Sequence, residues 1–445
     1  MTDSFAPSAL RPTRRRLRAR LHARRVWRTG VLVAVAVLGG LVAAAFAKLC
    51  DEAMQVHARL YHTAPWPTLL LLPAGFAVTA WLTRRFAPEA AGSGIPQVIA
   101  AAEQRWRGRW GGRRVTLKTA AWKVALSAAL LLCGGSIGRE GPTVQVVAGV
   151  MRTLTRGLRG RPGRRAIIIA GGAAGVSAAF NTPIAGVVFA LEELARGFDR
   201  RTNATVILVV VVAGFASYAV QGDYAYFGVQ DAGGAALASA WFAAPVIGLA
   251  GGLLGGLFSR TLVFLIGPGD HPVALWRRAH PVLFALGCGV VAAGAAAASG
   301  GLTFGAGYDE AKSLLQDHPG RGVSLAASKL VASLAASASG APGGIFAPSL
   351  AIGAGIGAAF ARASLMFAGR DAVVLGMSSY LSGVVQAPLT SAVILMEMTR
   401  DPGLVGPLML AALIARAASG WVMPEPLYHV LSLSWRPPWS VGARH

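Results

Sequence analysis

Three short motifs of glycine and proline are the residues of this chain whose types and spacing could do chemistry. Each places a glycine-permitted extended stretch before a proline and an apolar run, which is typical of a helix with proline in its first turn. The N–H groups and the positive dipole end of such a helix favour an anion. Three converging ends would bind a small anion without a buried cation that would hold it too tightly. The motifs are Gly92-Ser93-Gly94-Ile95-Pro96, Gly138-Arg139-Glu140-Gly141-Pro142 and Gly344-Ile345-Phe346-Ala347-Pro348.

The second and third motifs belong to a pattern that occurs twice, about 205 residues apart. Pro183 lies nine residues before Glu192, and Pro388 lies nine residues before Glu397. Matched Gly/Pro-interrupted apolar segments in two halves are typical of a transporter built by duplication, with its site where broken helices meet. The Gly-Ala-Gly sequence at 305–307 takes the place of the first motif in the second half. Any single motif is equally compatible with an ordinary packed helix start, but three together favour a binding site.

The elements that would position these motifs are membrane helices. Apolar residues make up 54% of the 445 residues and charged residues 14%, whereas soluble domains have about 25% charged residues. Several apolar runs are shorter than the roughly 20 residues that span a bilayer, so we expect tilted, partial or re-entrant helices. The chain lacks the ten-residue alternating blocks of a membrane barrel, so the predicted fold class is an all-α polytopic membrane protein. The apolar runs are 31–47, 68–82, 120–133, 205–220, 245–258, 282–298 and 404–415.

The net charge of +23 is concentrated in short segments between the apolar runs. Residues 1–30 contain nine arginines and one aspartate, and further basic clusters lie at 105–118 and 152–165. A nucleic-acid binder would need a soluble basic face, so no nucleic-acid partner is expected. The distribution follows the positive-inside pattern and predicts a multi-pass protein of the inner (plasma) membrane with its N-terminus in the cytoplasm. The segment at 43–47 resembles a signal-peptidase site, but the long apolar run favours an uncleaved first membrane helix.

Composition shifts along the chain predict three regions. Residues 1–30 form an Arg-rich cytosolic tail, residues 31–435 form the membrane transport domain, and residues 436–445 form a short C-terminal tail. The two repeat halves extend over about 31–220 and 240–435, and no C-terminal regulatory domain is expected. The three cysteines lack CxxC spacing, so neither a disulfide framework nor a metal site is predicted, and no cofactor is expected.

Taken in order, the motifs resemble the CLC family of chloride channels and proton-coupled chloride antiporters. The resemblance covers about residues 31–435, and it also rests on the segment 179–183, on Glu192-Glu193 and on Pro426-Leu427-Tyr428. The three Gly/Pro motifs correspond to the family's selectivity-filter segments. The resemblance implies an inverted repeat of tilted and broken helices, assembled as a homodimer in the lipid bilayer with one anion pathway per subunit.

The resemblance also implies roles for individual residues. Ser93 and Tyr428 would offer hydroxyls to a central anion, and the backbone N–H groups of Ile345 and Phe346 would complete its site. Glu140 would be the external gating glutamate, whose carboxylate occupies an anion position when charged and leaves when protonated. From the residue alone, Glu140 could equally complement a helix dipole.

Two consecutive acids follow the apolar run 184–191, and only one of them is repeated. Glu192 has Glu397 as its partner in the second half, whereas Met398 stands at the position that matches Glu193. We therefore interpret Glu192 as structural, for example capping backbone groups. Glu193 corresponds to the internal proton-transfer glutamate of the family's antiporters, and the alternative is a solvated charge at a helix end.

The expected activity is chloride/proton antiport, with chloride and protons as the transported partners. The alternative is a passive chloride-selective channel of the same fold. Glu193 favours coupling, whereas Gln97 and its two apolar neighbours stand where related antiporters have acids, which argues against coupling. An enzyme would need a nucleophile–base pair or metal ligands at usable spacing, and the sequence offers none, so no enzymatic activity is expected. A membrane scaffold would not need the intramembrane acid Glu140.

Overall fold

The computed structural model describes residues 14–103, 114–158, 163–195, 200–222, 226–228, 234–267, 269–316, 321–363 and 369–435. Within these ranges the protein is built of α-helices without β-strands. The first half of the chain contains eight of them. They are α1 (Arg14–Thr63), α2 (Pro65–Phe86), α3 (Ile95–Glu103), α4 (Leu117–Leu132), α5 (Glu140–Leu154), α6 (Arg164–Phe180), α7 (Pro183–Phe189) and α8 (Arg200–Gln221).

The second half contains ten helices among its described residues. They are α9 (Gly234–Ile266), α10 (Pro272–Ala279), α11 (Pro281–Ser299), α12 (Tyr308–Leu315), α13 (Gly322–Ala338), α14 (Phe346–Ala363), α15 (Gly369–Val385), α16 (Pro388–Thr399), α17 (Val405–Val422) and α18 (Leu427–Leu433). The predicted boundary at 221–239 lies around the end of α8 and the start of α9. The predicted C-terminal tail lies outside the described residues.

Helix lengths agree with a membrane protein that combines full spans with partial ones. Seven helices in the described part of the chain are long and apolar enough to cross a bilayer. Helix α3 has 9 residues and α16 has 12, so at about 1.5 Å per residue neither crosses a hydrocarbon core of about 30 Å. The expected partial helices are therefore present. The long helix α1 joins the basic segment after Arg14 directly to the first apolar run.

Helices α5, α14 and α15 lie at the centre of the fold and are buried along most of their length. Helix α14 is rich in glycine and alanine, and it packs tightly against α15. Small residues let helix backbones approach closely. In a bilayer, where no hydrophobic force drives helices together, this close packing is what associates them. The loops that precede α5 and α14 are therefore attached to closely packed, buried helices.

In each half, a glutamate near the end of one short helix caps the start of the matching helix in the other half. Glu397 on α16 accepts hydrogen bonds from the N–H groups of Ile184 (3.1 Å) and Ala185 (2.7 Å) at the start of α7. Glu192 accepts hydrogen bonds from Leu389 (3.1 Å) and Thr390 (2.7 Å) at the start of α16. Each carboxylate satisfies N–H groups that a helix start leaves free and complements the helix dipole. The interpretation of Glu192 as a backbone cap is confirmed.

Candidate anion-binding site

The three Gly/Pro motifs lie side by side in the structure, and each begins a helix as predicted. Helix α3 begins at Ile95, α5 at Glu140 and α14 at Phe346. Gly138 and Gly344 exchange two backbone hydrogen bonds of 2.8 Å. The first motif joins them through Gly92, whose N–H donates to the carbonyl of Ala341 at 3.2 Å. The starts of three helices from both halves are thereby held in one place.

Glycine is required where these motifs touch. A Cβ atom on Gly141 would collide with the Ser93 hydroxyl, and one on Gly344 would meet the carbonyl oxygen of Gly138 at 2.9 Å. Gly92 and Gly94 have φ values of +61° and +100°, in the region that side chains disfavour. The spacing of glycines seen in the sequence therefore reflects backbone contact between motifs.

A cavity of about 240 Å³, here called the Ser93 pocket, lies on one side of the joined motifs. Ser93, Tyr428 and Ile345 contribute to its lining. The hydroxyl oxygens of Ser93 and Tyr428 are buried near each other, yet neither forms a hydrogen bond of normal geometry. A buried hydroxyl without a partner costs about 1–3 kcal/mol. An anion that accepts from both hydroxyls would remove this cost.

Aromatic packing fixes the orientation of Tyr428. Its ring stacks on Phe346 with centroids 6.0 Å apart and an interplanar angle of 13°. Phe346 in turn contacts the rings of Phe180 (5.9 Å) and Phe189 (6.0 Å). This cluster joins α6, α7, α14 and α18, so the Tyr428 hydroxyl is positioned by elements from both halves.

The Glu140 side chain is 1% exposed. Its chain neighbours reach two cavities, because a Cβ atom on Gly141 would meet the Ser93 hydroxyl of the Ser93 pocket and Arg139 lines a second cavity. Its Oε1 accepts a hydrogen bond of 2.7 Å from the Tyr308 hydroxyl. Its Oε2 atom is buried without a hydrogen bond of normal geometry and lies near the backbone N–H groups of Glu140 and Ala347, at the starts of α5 and α14. The acid thus occupies a helix N-terminus, where an anion would also bind.

The second cavity, here called the Tyr308 pocket, has a volume of about 570 Å³. Arg139, Tyr226 and Tyr308 form part of its wall. Arg139 is ion-paired with Asp51 and donates hydrogen bonds of 2.7 Å to the Tyr226 hydroxyl and to the carbonyl of Ala47. The guanidinium of the second motif is therefore held by the protein itself rather than directed at an anion.

One cation, Arg277 of α10, belongs to the lining of the Ser93 pocket. It donates to the carbonyl of Ile266 at 3.0 Å. Burial, together with the neighbouring charges of Arg278 and Arg84, lowers the pKa of the Arg277 guanidinium. The group still stays protonated at neutral pH, because an arginine starts from a very high value. A positive charge in the lining of this pocket would attract anions from solution.

Glu193 is 3% exposed, so it is not the solvated charge that was the alternative interpretation. It lies in a single π-turn, Ala190–Leu194, which the hydrogen bond from the Ala195 N–H to the Ala190 carbonyl closes at 2.8 Å. A π-turn changes the direction of successive side chains, and such turns recur at functional sites. In this turn, Glu192 reaches the start of α16. Glu193 is buried and lies within electrostatic range of Tyr428.

Two buried lysines were missed in the sequence analysis. Lys123 and Lys329 are both 0% exposed. Lys123 donates to the carbonyls of Ala90 (2.7 Å) and Gly92 (2.6 Å). Lys329 donates to those of Thr303 (3.0 Å), Phe304 (3.0 Å) and Gly305 (2.9 Å). A signal was present: each is a lysine within a largely apolar stretch of a helix, and their separation matches that of the repeated motifs.

Fold and site together define a multi-pass membrane protein in which broken helices from two repeated halves meet at one buried centre. The chain belongs to the family described as voltage gated chloride channel, whose family model matches residues 74–420. This match includes all three Gly/Pro motifs.

Solved structures of similar proteins agree with this assignment. A slow cyanobacterial Cl⁻/H⁺ antiporter is 25% identical, with a TM-score of 0.74 over 92% of this chain and 97% of that chain. A eukaryotic CLC transporter is 19% identical, with a TM-score of 0.73 over 92% of this chain and 74% of that one. A CLC-type fluoride/proton antiporter is 21% identical, with a TM-score of 0.71 over 90% and 97% of the two chains. The last two similarities establish the fold alone.

Proposed function

We propose that this protein exchanges chloride for protons across the membrane, through a pathway in each subunit of a homodimer that Glu140 gates. The observation that carries the proposal is the Glu140 carboxylate, which is buried at the N-terminus of α5 and bonded to Tyr308 of the Tyr308 pocket. The next residue, Gly141, packs against Ser93 of the Ser93 pocket. Family membership and the 25% identical Cl⁻/H⁺ antiporter support chloride and protons as the transported ions.

Anion binding would use groups that are polar but uncharged. The hydroxyls of Ser93 and Tyr428, with the backbone N–H groups of Ile345 and Phe346, would coordinate the ion in the Ser93 pocket. Dipoles of this kind bind an anion strongly enough to admit it and weakly enough to release it. Arg277 would raise the local anion concentration in the pocket without touching the central ion.

Gating would follow from competition between the carboxylate and the anion for one helix end. When ionised, Glu140 occupies the N–H groups at the start of α14 and closes the pathway between the two cavities. When protonated, it loses the attraction to these donors and leaves the position to chloride. Each opening thereby takes up a proton, which links the two flows.

The proton would reach Glu140 from Glu193. Both acids are buried and lie within electrostatic range of Tyr428. With a cytoplasmic N-terminus, the Ser93 pocket and Glu193 would face the cytoplasmic side. An intramembrane acid is costly and therefore marks a functional position.

A passive chloride channel is the second candidate, and one residue favours it. Gln97 contributes an amide to the Ser93 pocket at the place where related antiporters have acids, so protons have fewer carriers there. Uncoupled flux through the same fold would need Glu140 as a gate but would not need Glu193.

Purified protein in liposomes, with chloride efflux and proton movement recorded together, tests the proposal. The wild type should move both ions. Glu140→Gln should keep chloride flux without its pH dependence and stop proton movement, while Glu193→Gln should keep chloride flux and stop proton movement. Glu52→Gln, an exposed acid on α1, is the matched control and should behave as wild type. Wild-type chloride flux without protons would replace antiport with the channel.

A further inference from the structure

Tyr308 is the side chain that holds the Glu140 carboxylate. Its hydroxyl donates a hydrogen bond of 2.7 Å to Oε1, although 168 positions of sequence separate the two residues. The tyrosine is the first residue of α12 and follows Gly307, which has a φ of +87°. Neither residue's sequence context predicts this contact.

The position of Tyr308 is fixed from two directions. Its ring packs on Tyr226 with centroids 4.9 Å apart and on Phe227 at 6.2 Å. The loop before it is tied down by Lys329, which donates to three successive carbonyls ending at Gly305. A donor held this firmly retains its direction when the acceptor moves.

Other polar groups near the carboxylate have different partners or positions. Arg139 is engaged by Asp51 and Tyr226, and Tyr428 belongs to the aromatic cluster of the Ser93 pocket. Among the described residues, a further titratable neighbour is the Cys50 thiol on α1, within electrostatic range of Glu140. The Tyr308 hydroxyl is therefore the side-chain group placed to favour one position of this acid.

We propose that Tyr308 is a positioning residue that latches Glu140 in its pathway-closing position and so sets how readily the gate opens. The inference rests on the proposed function, in which the ionised carboxylate closes the pathway. A hydrogen bond to an ionised acceptor is shorter and stronger than one to a neutral acceptor. The latch consequently stabilises the closed, ionised state more than the protonated state, and its removal favours opening.

Tyr308→Phe removes the hydroxyl and keeps the ring packed on Tyr226. Chloride flux at neutral pH should rise roughly tenfold, because a hydrogen bond to a charged group is lost from the closed state alone. The pH of half-maximal flux should move upward, since the acid then takes up its proton more easily. Tyr61→Phe, in the lining of the same pocket but without contact to Glu140, should leave both measures unchanged.

Combination with Glu140→Gln separates the latch from a change in pathway width. In the Glu140→Gln background, Tyr308→Phe should have no further effect on flux. An equal rise in that background would overturn the latch, as would a Tyr308→Phe variant that is folded by gel filtration and matches wild type. If Glu140→Gln itself retains normal pH-dependent, proton-coupled flux, the proposed gate fails instead, and this outcome is recognised without the tyrosine variant.

Discussion

The two halves of the molecule use the same glycine segment for different purposes. At 92–96 and at 305–309 the chain places two glycines in the left-handed region with one residue between them, and a buried lysine donates hydrogen bonds to carbonyls beside them. The φ values are +61° and +100° for Gly92 and Gly94, and +60° and +87° for Gly305 and Gly307. Both halves thus have the same glycine conformations and the same type of lysine–carbonyl contact.

The side chains displayed by the two segments differ. Position by position, Ser93 corresponds to Ala306, and Ile95 corresponds to Tyr308. The first segment supplies a hydroxyl to the Ser93 pocket, and the second supplies a hydroxyl to Glu140. The difference indicates that duplication preserves the support of a loop while its side chains diverge, one towards binding and the other towards the gate.

Replacement of the two buried lysines removes the backbone contacts that both halves share, and it should have the largest effect on stability. Lys329→Met leaves three buried carbonyls without their donor, and Lys123→Met leaves two. We expect losses of about 3–5 kcal/mol of stability, with Lys329→Met the more severe, because breaking buried charge-assisted contacts is costly. Gel filtration after heating in detergent measures the loss. Lys118→Met, exposed on α4, is the control, and a milder effect at Lys329 would contradict the prediction.

The exchanged carboxylates offer a second test of equivalence between the halves. Glu192→Gln and Glu397→Gln each remove a negative charge from a helix start and should lower stability by about 1 kcal/mol. Because both caps bind two backbone N–H groups, the two losses should be similar. Thermal unfolding measures them. The surviving Glu192→Gln protein should keep proton coupling in liposomes, and a loss of coupling there would argue against a purely structural cap.

The side chains that differ between the two segments, Ser93 and Ala306, predict a smaller effect on anion binding that is confined to Ser93. Ser93→Ala should weaken chloride binding by roughly fivefold in calorimetry, equivalent to about 1 kcal/mol for one hydrogen bond. Ala306→Ser, the reciprocal change in the second segment, should leave the affinity unchanged because Ala306 contributes to the other pocket. Comparable losses from both variants would show that the segments have not diverged.

Arg277 should produce the smallest effect. Arg277→Gln should reduce chloride flux about twofold at low ionic strength and hardly at high ionic strength, because salt screens a charge that acts from the lining of the pocket. The lowered pKa of the guanidinium does not alter this expectation at neutral pH, since the charge is lost only under strongly alkaline conditions. Flux measured at both salt concentrations checks the prediction, and a salt-independent loss would place Arg277 in contact with the ion.

The sequence predicted the helix starts at Ile95, Glu140 and Phe346 because glycine and proline act on their own stretch of backbone. The repeat made the meeting of these motifs an expectation as well. The contact between Tyr308 and Glu140 could not be predicted, because it depends on how two distant helices pack. The inward direction of Glu193 depends on a π-turn, which no residue pattern in that segment indicates.

The reciprocal caps have a consequence for biosynthesis. Helix α7 begins at Pro183, yet the carboxylate that completes its first turn belongs to Glu397, which the ribosome adds more than two hundred residues later. The first half therefore enters the membrane with an unfinished helix end, and it stays unfinished until α16 has been translated and inserted. In a nascent chain that stops before α16 these N–H groups lack their carboxylate, so we expect the first turn of α7 to be less stable than in the finished chain.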